Sequence, residues 1–172
     1  MKVTLFMASS INGIIARENN EEDFLSHKNW LTFIDLAHKA GCTIWGRKTQ
    51  EIVGNWEDKY LQDIADVTKV VVTANKDLNL EQEYIQANSP KDALEKLESK
   101  GFKEVILTGG SKLNTSFASE NLIDEIILNI EPVIIGSGIP LFSPQVFDLK
   151  LELLGTNKIG DSIVQLQYKV LK

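Results

Sequence analysis

Residues 89–117 read SPKDALEKLESKGFKEVILTGGSKLNTSF and hold, in direct succession, a helix start, a helix stop, a buried strand and a second helix start. Ser89 is an N-cap, Pro90 takes the first helical position with its φ already set, and Asp92 lies in the first turn, where the helix dipole favours an anion. Gly101 closes that helix. Phe102 to Thr108 is a short apolar run that reads as a buried strand, and Gly109-Gly110-Ser111 turns it into a short helix through Phe117.

The same alternation extends upstream. Cys42-Thr43-Ile44-Trp45 is β-branched and aromatic, stops at Gly46, and gives way to the polar helix start Arg47-Lys48-Thr49-Gln50-Glu51. Val67 to Thr73 is a further strand, ending in Thr73-Ala74-Asn75-Lys76. Val3 to Ala8 leaves the core at Ser9 and Ser10, turns at Asn12-Gly13, and leads through Ile14 and Ile15 to a charged surface loop, Arg17 to Asp23. From Ser26 to Lys39, Trp30, Phe33, Ile34 and Ala37 fall at helical spacing, with Gly41 as terminator. Downstream come a strand within Ile123 to Ile135, a loop over Gly136 to Pro140, and two alternating segments near Leu151 to Leu154 and Ser162 to Val170. Strands alternating with helices imply parallel β-α-β units, and two final strands with no helix between them imply an antiparallel hairpin. The expectation is an α/β fold: one domain over residues 1–172, a mixed, mostly parallel central sheet, helices on both faces and a C-terminal antiparallel hairpin.

Composition narrows the function. Eighteen Lys and Arg against 24 Asp and Glu leave a net charge of −6, so there is no general attraction to nucleic acid or to an anionic membrane, and an anionic ligand must be held locally. Cys42 is the one cysteine, and His27 and His38 are the two histidines, so an internal disulfide and a four-ligand Cys/His zinc site are excluded. No signal-peptide pattern accompanies Lys2 and the run after it, which places the expected location in the cytoplasm.

Three loops follow C-terminal ends of predicted parallel strands: Ser9 to Gly13, Gly46 to Thr49 and Gly109 to Lys112. Those ends line the ligand crevice of an open α/β sheet. Gly109-Gly110 lets backbone N–H groups approach an anion, and the following helix start adds its dipole. Taken alone, it is also a tight strand-to-helix turn, and it matches neither the dinucleotide fingerprint nor a P-loop. Gly46-Arg47-Lys48-Thr49 offers a second turn with two cations and a hydroxyl, which otherwise reads as a basic surface turn. Thr73, Asn75 and Lys76 end the neighbouring strand. Two separated phosphate cradles suggest a dinucleotide, the basic one fitting a 2′-phosphate.

Ala8, Ser10-Ile11-Asn12-Gly13-Ile14-Ile15-Ala16, Gly46-Arg47-Lys48-Thr49, Thr108-Gly109-Gly110-Ser111, Leu122-Ile123-Asp124-Glu125, Pro132 and Gly136-Ser137-Gly138-Ile139-Pro140-Leu141-Phe142 together resemble the dihydrofolate reductase-like superfamily. The closing elements look more like its branch containing the reductase domain of the riboflavin-biosynthesis deaminase-reductase. The resemblance implies a three-layer NADPH-dependent reductase fold. It implies that Ala8 and Ile15 contact the nicotinamide end; that Gly46, Arg47, Lys48 and Thr49, with Thr73, Asn75 and Lys76, hold the adenosine phosphate; and that Gly109, Gly110, Ser111, Lys112 and Leu113 hold the pyrophosphate. The substrate would lie near Ser10, Asn12 and Trp30. Two positions depart from the pattern. Trp30 stands where dihydrofolate reductases place a carboxylate near the start of the first long helix, which argues against ordinary folate reduction. Asn12 stands where the riboflavin-type reductase usually carries Asp. That reductase also needs a cation for its substrate's ribose phosphate, for which Arg17 and Lys28 are the candidates.

The leading functional expectation is an NADPH-dependent reductase delivering hydride to a C=N or C=O of a small pterin-like or ribosylaminopyrimidine-like heterocycle. Two others stay open: a non-catalytic nucleotide-binding or regulatory module, and a homodimeric scaffold. A homodimer suits all three, with edges near Ile123 to Ile135 or Ser162 to Val170 as its contact. Trp45 is expected to pack, Trp30 to pack or to stack on substrate, and Cys42 to be an inert small hydrophobe. His27 and His38 are assigned no chemistry, and Asp124-Glu125 a structural role.

Overall fold

A strand held between two helical layers must be apolar on both sides, and β1 (Lys2–Ser10) is. In the computed structural model, which describes residues 1–75, 80 and 83–172, Val3 and Leu5 join one core with Leu97, Leu107 and Phe117. Phe6, on the other face, joins a second core with Phe33, Ala37, Trp45 and Ile106. The chain continues through β2 (Ile14–Ala16), α1 (His27–Ala40), β3 (Cys42–Gly46), α2 (Arg47–Val53), α3 (Asp58–Gln62), β4 (Thr68–Val72) and β5 (Tyr84–Ala87). It ends with α4 (Pro90–Ser99), β6 (Glu104–Leu107), α5 (Ser111–Ser119), β7 (Glu125–Glu131), β8 (Ile139–Pro140), β9 (Lys150–Ile159) and β10 (Ile163–Leu171).

The strands form an eight-stranded sheet in the order β5-β4-β3-β6-β1-β7-β10-β9, with β2 and β8 paired separately. From β5 to β7 all neighbours are parallel; β10 is antiparallel to β7 and to β9. Helix α1 packs on one face through Phe33 and Ala37, and α4 and α5 pack on the other through Leu97 and Phe117. This is the expected three-layer α/β arrangement with its C-terminal hairpin.

Local signals set the element ends. The Ser89 hydroxyl accepts the Asp92 N–H at 3.2 Å, and Gly41 closes α1 at φ +74° with its N–H on the Ala37 carbonyl at 2.8 Å. The Asp124 carboxylate accepts the Val3 N–H at 2.7 Å and the Lys172 ammonium at 2.6 Å, a structural role at the end of the sheet away from the ligand loops. Cys42 is buried and donates to the Glu104 carbonyl at 3.2 Å; burial, helped by the nearby Glu104 charge, pushes its thiol up to about 12.

Several expectations need correction. The strand within Ile123 to Ile135 is limited to Glu125–Glu131, because Pro132 has no N–H with which to extend the ladder. Neither β7 nor β10 is an edge: β7 lies between β1 and β10, and β10 between β7 and β9. The free edges are β5 and β9, so a homodimer contact through Ile123 to Ile135 or Ser162 to Val170 has no open ladder to use. The short β5 and α3 were not anticipated, since four or five residues give periodicity too little length. Among the described residues, no helix is long and apolar enough to cross a membrane.

Candidate active site

Adjacent parallel strands bring their C-terminal turns together. Thr43 and Ile44 of β3 are registered with Ile106 and Leu107 of β6, so Gly46 and Gly109 emerge side by side, with the Gly46 N–H on the Gly109 carbonyl at 2.8 Å. The following helices diverge: Val53 of α2 enters one core, while Leu113 and Phe117 of α5 enter the other. That divergence opens a crevice, into whose mouth both helices turn N-terminal N–H groups that have no intrahelical partner. A Cβ on Gly110 would lie 3.6 Å from the Thr49 hydroxyl, filling space between the two turns. Gly109 adopts φ +89°, and a Cβ there would lie 3.1 Å from the Met7 sulfur, so this position demands glycine. The Gly109–Gly110 peptide is cis.

The residues expected to hold a dinucleotide are distributed around this crevice. Arg47 is ion-paired with Glu51, and Lys48 is exposed. Thr73 follows Val72, the register partner of Gly46, and its hydroxyl accepts the Asn75 N–H at 3.1 Å. Lys76 lies outside the described residues. The Ser111 hydroxyl shares a 2.9 Å hydrogen bond with Ser143, Lys112 is exposed, and Leu113 packs in the core, leaving only its backbone for a ligand. Asn114 was missed by the sequence reading. Its amide donates to the Leu141 carbonyl at 2.9 Å, while its buried Oδ1 has no partner among the described residues and lies 3.7 Å from where a Gly109 Cβ would stand.

Beside the crevice, at the ends of β1, β3 and β6, a cleft of about 710 Å³ is lined by Ala8, Ile15, Trp30 and Thr49 among the expected residues. Its remaining wall includes the aromatic rings of Phe6, Phe33, Trp45, Trp56 and Tyr60. The Trp30 ring meets Trp56 and Tyr60 edge-to-face, each at 5.4 Å, and its indole N–H donates to Asp63 at 2.9 Å. Trp56 and Tyr60 were missed: Trp56 lies in the bend between α2 and α3, and Tyr60 on a five-residue helix too short for periodicity to reveal. Ser10 and Asn12 are not brought to the cleft. The Ser10 hydroxyl donates to Asn12 at 2.9 Å and accepts the Ile14 N–H at 2.9 Å, and Asn12 grips both polar groups of Ile135, at 2.7 and 3.1 Å. Polar side chains beside an Asn-Gly turn find backbone partners first.

The model of the RibD C-terminal domain family matches residues 1–165. The chain belongs to that family. The uncharacterized protein YwjB of Bacillus subtilis (strain 168) is 32% identical over 97% of both chains. The fold is similar to that of a Shewanella sp. PV-4 protein (TM-score 0.81, 23% identity, full coverage of both). It is also similar to the Thermotoga maritima diaminohydroxyphosphoribosylaminopyrimidine deaminase/5-amino-6-(5-phosphoribosylamino)uracil reductase (TM-score 0.76, 15% identity), covering 99% of this chain and 56% of that one.

Two carboxyls in this RibD C-terminal domain escaped the sequence reading. Glu22, in the loop between β2 and α1, lines the cleft; it is exposed to water there yet hemmed in by the surrounding walls, and this desolvation pushes its carboxyl up to about 7. Glu131, at the end of β7, is buried beneath the start of α1, where one oxygen accepts the Ser26 N–H at 2.8 Å and the Asn29 amide at 2.6 Å. The chain of contacts continues from Asn29 to Asn129 at 2.9 Å and to Gln165 at 3.0 Å. Glu131→Ala leaves the half-buried Ser26 N–H unpaired and takes from the Asn29 amide one of its two acceptors, the Ser26 carbonyl remaining at 3.1 Å, and is expected to cost about 1–3 kcal/mol, against about 1 kcal/mol for Glu131→Gln, which keeps an acceptor. Urea unfolding of both variants measures the difference.

Proposed function

We propose that the chain is an NADPH-dependent reductase that transfers hydride to a C=N or C=O of a small heterocycle. The observation that carries this reading is the meeting of the two glycine turns, Gly46 against Gly109 at 2.8 Å, next to a cleft walled in part by aromatic rings. The space a Gly110 Cβ would fill and the unpartnered Asn114 oxygen suit a polar ligand threaded between the turns. Gly109 to Leu113 would hold the diphosphate through backbone N–H groups; Arg47, Lys48, Thr49, Thr73 and Asn75 would take the adenosine phosphate, and Ala8 and Ile15 the nicotinamide end. Bound there, NADPH supplies the hydride, while the protein orients the reactants and excludes water. Glu22, whose carboxyl is raised to about 7, is a group within the cleft able to give a proton to the reduced nitrogen or oxygen at neutral pH.

The test is titration with NADPH and NADH, following ligand fluorescence. Saturable sub-millimolar binding of NADPH is expected, with NADH at least tenfold weaker because the basic turn loses its phosphate. No binding of either overturns the reading. A second reading, a nucleotide-binding module without turnover, is favoured by the indole at position 30, tied to Asp63, where a carboxylate would otherwise stand. Binding without NADPH oxidation across dihydropterin and ribosylaminopyrimidine substrates would select it.

A further inference from the structure

We infer that the cleft takes a flat heterocycle that carries no phosphate. The inference rests on the reductase reading only in calling that heterocycle the substrate. Lysine and arginine are absent from the described residues lining the cleft; the titratable side chains there are Glu22, His27, Glu57 and Tyr60. Arg17, Lys28 and Lys59, which neighbour its lining residues, are each turned elsewhere. Arg17 folds back onto Asp23 with two hydrogen bonds, at 2.5 and 2.9 Å, and its guanidinium lies 6.0 Å over Phe24. Lys59 pairs with Glu57 at 2.7 Å and lies 5.1 Å over the Tyr60 ring. Lys28 runs to the β9–β10 turn, where its ammonium occupies the place a Gly160 side chain would need.

A further source of positive potential is the N-terminus of α1, whose own first turn has no acidic residue. A phosphate is the usual tenant of such an end, but here Glu131 reaches in from β7 and takes the Ser26 N–H and the Asn29 amide. A phosphate at that helix end would therefore compete with the Glu131 carboxylate, and elsewhere in the cleft it would lie near Glu22 or Glu57. What the cleft does offer is aromatic surface: Trp30, Trp56 and Tyr60 in mutual edge contact, with Phe33 at 5.2 Å from Trp30. A planar ring gains stacking and burial there with no charge to neutralise. The volume of about 710 Å³ admits a fused bicyclic ring.

The test measures quenching of tryptophan fluorescence at pH 8, without NADPH, by lumazine and by two matched pairs, riboflavin with FMN and uridine with UMP. At least one unphosphorylated ring is expected to bind, with its phosphorylated partner at least tenfold weaker. Glu22→Lys should narrow that ratio at least threefold, and added salt should narrow it in the parent chain. Each phosphorylated ligand is also measured on Gly110→Ala, which separates capture by the glycine turns from capture in the cleft. Equal or tighter binding of the phosphorylated partner in Gly110→Ala, no binding of any unphosphorylated ring, or a ratio unmoved by both Glu22→Lys and salt overturns the inference. Failure to bind NADPH overturns the reductase reading alone, because ring binding is read without it.

Discussion

Gly110→Ala is expected to bind NADPH at least tenfold more weakly than the parent chain, about 1.4 kcal/mol, while keeping its fold. The added carbon sits at ordinary contact distance, 3.6 Å from the Thr49 hydroxyl, and Gly110 has φ −73°, which alanine adopts freely, so the native structure accepts it. What it removes is the gap between the turns at the ends of β3 and β6. Gly109→Ala is the contrasting variant: at φ +89° and 3.1 Å from the Met7 sulfur it strains the fold itself, by about 1–3 kcal/mol. NADPH fluorescence titration and thermal melting of the two variants separate loss of the cradle from loss of stability. Parental NADPH affinity in Gly110→Ala would mean that the cofactor does not pass between these turns.

Glu22→Gln is expected to lower kcat by about 10²–10⁴ for any substrate that drives NADPH oxidation, the range for removing a general acid. On the proposed mechanism the protonated carboxyl is the donor, and desolvation raises it to about 7, so the parent rate should fall about tenfold per pH unit above about 7. In Glu22→Gln the slow residual rate should lack that limb. Folding stability supplies an independent reading. Because the folded chain holds this proton more tightly than the unfolded chain, the contribution is fully present below the ordinary carboxyl range, declines as pH rises toward about 7, and is flat beyond it. Glu22→Gln should remove that decline from a plot of Tm against pH. A kcat profile and a Tm profile indistinguishable from the parent would take Glu22 out of the chemistry.

The residues show why some of the site was legible and some was not. Gly109-Gly110 and Gly46 could be read because each ends an apolar strand run, and a turn after a strand is a local event. Trp30 was placed at the cleft by resemblance, and it lines the cleft wall. Ser10 and Asn12 carried the same resemblance, but their polar atoms are consumed in fixing the turn to Ile135. Glu131 was invisible as a partner of α1 because it lies 102 residues beyond Asn29. Nor did the charged loop from Arg17 to Asp23 distinguish Glu22 from its solvated neighbours, since desolvation belongs to the walls around a group and not to the group.

The amino-acid order alone determined the kinds of element and most of their ends, because caps, glycine turns and apolar periodicity act within a few residues through dihedral preference and burial. It also determined the absence of an internal disulfide and of a four-ligand Cys/His zinc site, since one cysteine and two histidines cannot supply either. Only the tertiary structure decided that β3 lies against β6, that β9 rather than β10 is a free edge, that Glu131 serves the start of α1, and that Arg17 and Lys59 beside the cleft are paired with carboxylates. Strand order, long-range hydrogen bonds and desolvation are set by which distant segments come to share space, and that depends on the packing of the whole chain.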